Sequence, residues 1–114
     1  MILRTLLLLV LLVIAPAANA HSPLLATMPA DGEVLDIAPD SLQLTFSGAA
    51  RLARLSLSRG GVEILLGKDH LMQKATHHNV TLPALPDGSY QVRWRALSAD
   101  GHIIKGAFAF TAGN

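Results

Sequence analysis

Ser89-Tyr90-Gln91-Val92-Arg93-Trp94-Arg95-Ala96-Leu97 alternates polar and apolar side chains from Ser89 to Ala96. Tyr90, Val92, Trp94 and Ala96 fall on one face and Gln91, Arg93 and Arg95 on the other, the period of two that a half-buried strand requires. Downstream, Ile103 to Thr111 keeps the same period, with Ile104, Gly106, Phe108 and Phe110 in phase. Upstream, Thr76 to Leu82 reads as a strand ended by Pro83 and by the turn signal Pro86-Asp87-Gly88. Ser41 to Phe46 puts Leu42, Leu44 and Phe46 on one side, and Leu52 to Ser58 follows with Leu55 and Leu57 alternating against serines. Arg59-Gly60-Gly61 is a hairpin signal leading into Val62 to Leu65. No window longer than ten residues holds a helical period. Short strands with turns every eight to twelve residues predict an all-β chain, a single Greek-key sandwich of about seven strands with Ig-like character. Trp94 is its expected core aromatic.

The first 20 residues stand apart. Arg4, an apolar run from Leu6 to Ile14, a break at Pro16 and small residues at Ala18 and Ala20 have the layout of a cleaved secretory signal peptide. A membrane span needs about 17–25 apolar residues, and this run is shorter and interrupted. Removing 20 of the 114 residues leaves 94, one domain, read here as residues 21–114. Arg4 goes with the leader, so eight basic residues face eight acidic ones. A net charge of zero argues against nucleic acid or an anionic membrane surface as the main partner. With no cysteine in an exported chain, stability rests on packing instead of disulfides, and a soft-metal site must use His, Met or carboxylate.

Cleavage after Ala20 makes His21 the first residue. Its α-amine and ring Nδ1 can then close a chelate on one metal ion, which an internal histidine cannot do. Downstream, Ser98-Ala99-Asp100-Gly101-His102 sets Asp100 and His102 two residues apart, on one side in extended backbone and about 6–7 Å apart along it. Such a pair is either two ligands or a carboxylate orienting an imidazole. It can also be ordinary turn chemistry, since Asp-Gly is a common turn pair. Two nitrogens of His21 with one of His102 make a T-shaped set suited to tetragonal Cu(II), the ion at the top of the Irving–Williams order. The competing amino-terminal motif needs the third residue's backbone nitrogen as a ligand, and Pro23 has no N–H.

These residues resemble a known family. His21-Ser-Pro-Leu, Met28-Pro-Ala-Asp-Gly32 and Pro39-Asp-Ser-Leu-Gln-Leu-Thr-Phe-Ser47 are similar to the opening of the CopC-type copper-resistance proteins. The run from Gly88 to His102, followed by Gly106-Ala-Phe108-Ala-Phe110, resembles that family's last two strands. The resemblance covers essentially the whole mature chain. It implies a periplasmic, cupredoxin-like sandwich that binds one Cu(II), with metal ligands at His21 and His102 and with Asp100 on or near the metal. It also implies delivery of copper to a CopD-type inner-membrane transporter, by a chain expected to act as a monomer. Two departures stand out. Ser47 is followed by Gly48-Ala49-Ala50, so a carboxylate that some members carry there is missing. The Met-rich Cu(I) loop of some members is also missing: Met28 and Met72 read as a core filler and a loop residue, which speaks against a dedicated Cu(I) site.

The remaining polar features have quieter readings. His77 and His78, adjacent on a strand, face opposite sides and cannot chelate one ion together; one is expected at the surface and the other part-buried, with a weak site including His70 as the alternative. Arg93 and Arg95 form a small basic stripe, read as a solvated outer face or else a docking surface. Three functions compete: a periplasmic copper carrier, a copper oxidase using the same histidine brace, and an Ig-like interaction module. An oxidase needs an open axial position and a flat aromatic substrate platform. One Trp, one Tyr and three Phe, all expected in the core, do not supply one, and a carboxylate at Asp100 crowds the axial position. The carrier, with no catalytic residues, is the expectation.

Overall fold

A computed structural model describes residues 24–113. The expected leader and His21 lie outside the described residues. The elements are β1 (Leu24–Met28), β2 (Glu33–Leu35), β3 (Ser41–Arg59), β4 (Val62–Ile64), β5 (Lys74–Thr81), β6 (Gly88–Ser98) and β7 (Ile103–Ala112). The all-β class and the seven strands agree with the sequence reading.

One difference organises everything else. Ser41–Phe46 and Leu52–Ser58, read as two strands, are one strand of 19 residues. β3 pairs with β1 and β5 along its first half and with β6 and β4 along its second. β5 follows one edge of β3 from Ser41 to Arg51, so β1 and β6 share the other edge, one on each side of the bend between. Register shifts mark that bend: between Thr45 and Ala50 against β5, and between Leu52 and Arg54 against β6. The second is a bulge that exposes Ala53 and Arg54 in succession and returns Leu55 to the core. A strand interrupted in this way curls the sheet onto itself. The seam is completed by β7 beside β6 and by β2, parallel to β7, at the far edge.

The enclosed core holds Leu42, Leu44 and Phe46 from the first half of β3, Leu55 and Leu57 from the second, Val80 from β5, and Tyr90, Val92, Trp94, Phe108 and Phe110 from β6 and β7. Phe46 meets Trp94 edge to face at 5.3 Å, and Tyr90 stacks on Phe110 at 5.2 Å, aromatic geometries that add to burial. The Tyr90 hydroxyl donates to the Pro86 carbonyl four residues upstream, a tie that pins the corner entering β6. Trp94 is opposite Gly106 in register. A Cβ at Gly106 would come within 2.8 Å of the indole, so the absence of a side chain there lets the ring lie against β7.

Met28 and Met72 are both exposed, at 62% and 52%, so the core-filler reading of one of them is corrected. Met72 has φ +63°, and its backbone is tied to β3 by its N–H to Leu52 O at 2.7 Å and by Arg51 Nη1 donating to its carbonyl at 3.0 Å.

Candidate metal centre

The connection from β6 to β7 is residues 99–102, closed at its base by Ser98 N–H to His102 O at 2.9 Å and capped by Gly101 N–H to Ser98 O at 3.0 Å. Gly101 has φ +89°, a conformation that side chains resist. Asp100 and His102 therefore meet across a tight turn and not along extended backbone, as their spacing alone suggested. His102 Nδ1 lies 2.9 Å from Asp100 Oδ2. The other carboxylate oxygen, Oδ1, accepts from Ser98 Oγ and, at 3.3 Å, from the His102 N–H. An ionised carboxylate only accepts, so the Nδ1 of His102 donates and the ring's lone pair is on Nε2.

The hydrogen bonds from Ser98, then those from His102, hold the Asp100 carboxyl well below the usual carboxylate range. Both side chains are more than half exposed, at 66% for His102 and 57% for Asp100. Water screens such a pair heavily, so its consequence is orientation more than stability. Ser98 was not singled out in the sequence, although a hydroxyl two residues before Asp-Gly is a readable turn signal.

The loop sits at the bend of β3. Ser98 is opposite Ala50, and Ala49, Ala50, Lys74, Ser98 and Gly101 line a shallow depression of about 190 Å³. Leu24, the first described residue, is opposite Phe46 on the same edge of β3. Among the described residues, no group of three or more His, Cys, Asp or Glu side chains converges as a metal site.

The other histidines are not part of this loop. His78 is buried at 4% exposure, deeper than the part-buried place expected for it. Its Nε2 donates to both Ala50 O at 3.0 Å and Ala75 O at 2.9 Å, and its ring meets Phe46 edge to face at 5.5 Å. Ala50 and Ala75 are the first pair after the register break between β3 and β5, so His78 ties the ladder where it resumes. His77 is exposed, with Nδ1 3.0 Å from Thr45 Oγ1. His70 borders a groove of about 660 Å³ with His77; burial pushes its imidazole down, opposed by Asp69. All five aromatic residues, Phe46, Tyr90, Trp94, Phe108 and Phe110, are buried, so these rings offer no flat surface for a polymeric substrate.

With this geometry in view, residues 24–113 match the CopC domain. The chain belongs to the CopC domain family. It is 32% identical over 110 residues to copper resistance protein C of Escherichia coli, covering 86% of each chain. It is 27% identical over 113 residues to the copper transport protein CutJ of Bacillus subtilis (strain 168), aligning with 93% of this chain but 21% of that one. Among solved structures, CopC from Methylosinus trichosporium OB3b superposes with a TM-score of 0.65 at 30% identity, covering 81% of this chain and 93% of that one. The methionine-rich copper resistance protein PcoC from Escherichia coli gives 0.61 at 26% identity, covering 79% and 97%. These relatives are named for copper resistance and copper transport, and none for a catalysed reaction.

Proposed function

We propose that the protein is a periplasmic copper carrier, released from its leader after Ala20, that binds one Cu(II) through the amine and Nδ1 of His21 and a ring nitrogen of His102. The observation that carries this reading is the Asp100–His102 pair, held at the bend of β3 on the edge along which the amino-terminal strand begins. Two residues, Ser22 and Pro23, separate His21 from Leu24, and extended backbone would span about 10 Å over those three steps. Four steps along β3 separate Phe46, opposite Leu24, from Ala50, opposite Ser98. Those four steps are about 13 Å, so a mature terminus extended along this edge would close most of the gap to the loop, and the two imidazole side chains would span the rest.

Both oxygens of Asp100 are engaged within the turn, which favours an orienting role, presenting His102 through Nε2, over direct ligation. The relatives named for copper resistance support copper as the ion. CutJ, of which a stretch similar to this chain is 21%, is named a copper transport protein, which supports a role in copper transport; the partner proposed there is a membrane transporter of the CopD type.

The test compares protein beginning at His21 with protein carrying one extra glycine before it. Competition titration with Cu(II) chelators and electron paramagnetic resonance report the affinity and the number of nitrogen ligands. The processed form binds one Cu(II) tightly and the extended form far more weakly; equal affinity would refute the chelate.

A further inference from the structure

We infer that the outer face of β3, β6 and β7 is a docking surface for an acidic protein segment, seated on Arg54, Arg93, Arg95 and Lys105. A net charge of zero after loss of Arg4 hides this face, because four of the eight remaining Lys and Arg residues gather on it. The gathering is a product of register. Arg54 is directly opposite Arg95, and Arg95 is directly opposite Lys105, so three cations form one row across three strands. In the next row Arg93 stands between Ser56 and Ala107. All four cations are exposed.

Like charges directly opposite on a sheet are about 4.5–5.5 Å apart and destabilise it. Among the described residues none of the four pairs with a carboxylate. Arg51 and Arg59, in contrast, are each hydrogen-bonded to a backbone carbonyl. Repulsion concentrated in this way and left uncompensated within the fold is what an external anion relieves.

The chemistry favours carboxylates on a protein segment. Three of the four cations are arginines, whose planar forks take carboxylates two hydrogen bonds at a time. Arg93 and Arg95 are two residues apart on one strand, about 6.6 Å, the spacing of alternate side chains on an extended partner. The side chains border a depression of about 600 Å³, which suits a segment. A bilayer would need a wider uniform field, and here the basic rows end quickly. Beyond them Glu63 is paired with Ser58, and Asp31 accepts from the Ala109 N–H, so the next part of the face carries acids. Arg95 is three positions from Ser98 and Lys105 three positions from His102, about 10 Å along each strand, so a segment seated here also borders the β6–β7 loop.

The test uses the processed protein, copper-free, with an end-labelled deca-glutamate peptide as probe and fluorescence anisotropy as readout. Arg93→Gln with Arg95→Gln is compared with Lys68→Gln with Lys74→Gln, a pair that removes the same charge elsewhere. The arginine pair is expected to weaken binding at least about tenfold and to flatten its salt dependence, and the lysine pair less than about twofold. Thermal unfolding of the arginine pair stays equal to or above that of the natural protein, which separates lost docking from lost fold. Equal weakening by both pairs, or no peptide binding at low salt, overturns the inference. Binding to phosphatidylglycerol vesicles that depends on the arginine pair, without peptide binding, also overturns it and assigns the face to a lipid surface. Cu(II) affinity is read on the arginine pair and stays unchanged, so failure here is distinct from failure of the copper reading.

Discussion

His102 and His78 are the same side chain put to opposite uses a short distance apart on one scaffold. The β6–β7 loop leaves His102 two-thirds exposed and aims it with an equally wet carboxylate. The bend of β3 buries His78 to 4% and gives its Nε2 two backbone carbonyls. In the loop, hydrogen bonds are screened and their value lies in direction. At the bend the same bonds are sheltered, and losing them strands buried acceptors. A histidine at this end of the molecule is therefore either presented to solvent, as His102 is, or built into the fold, as His78 is.

Mutation separates the two uses. On the copper reading proposed for this chain, His102→Ala removes one of three nitrogen donors and is expected to lower Cu(II) affinity by several orders of magnitude, with thermal unfolding unchanged; chelator competition and calorimetry check both halves. A large loss of stability in this variant would break the contrast. His78→Ala has the reverse signature. Lost packing on Phe46 and two carbonyls without a donor are expected to cost about 2–4 kcal/mol, a fall in melting temperature of more than about 10 °C for a domain of this size. Below that transition its Cu(II) affinity stays near the natural value. Direct loss of copper binding in folded His78→Ala would make the bend part of the site.

Asp100→Asn sharpens the loop side. An orienting partner is expected to contribute about 10–100-fold to metal affinity, less than the loss at His102; an equal loss would make Asp100 a ligand. The smallest effect concerns acid. A carboxyl whose folded value is depressed contributes stability that is present above its unfolded value, near 3.9, and is lost only as pH falls through the lower folded value. Nitrogen ligands must be deprotonated to hold a metal, so protons compete with copper for them as pH falls. Copper is therefore expected to leave on acidification while the Gly101 and His102 amides keep their exchange protection down to pH 4. Loss of copper and of amide protection together would show that the loop is ordered by the metal instead of by Asp100.

The strands with clean alternation were legible because one buried face imposes a period of two: β6, β7 and the two arms of β3 were all read from their apolar positions. The sequence pattern assigns no strand to β1 or β2. Both are short, largely exposed edge segments, stabilised by pairing with β3 and β7, and an edge without a buried face leaves no pattern to read. The chemical identity of the loop pair was also legible, since Asp100 and His102 are two residues apart. Its turn geometry was not, because Ser98 and Gly101 act there through backbone contacts.

By itself the sequence determined the all-β class, the central aromatic strand, the absence of disulfides and the presence of an Asp-x-His loop, all of which are local patterns of side chains. Tertiary structure alone decided that Ser41 to Arg59 is one bent strand, that His78 closes its bend, that the loop lies at that bend, and that Arg54, Arg95 and Lys105 stand in one row. Each of these depends on which residues face each other across strands distant in sequence. Register is set by the packing of the whole sheet, and no single segment carries it.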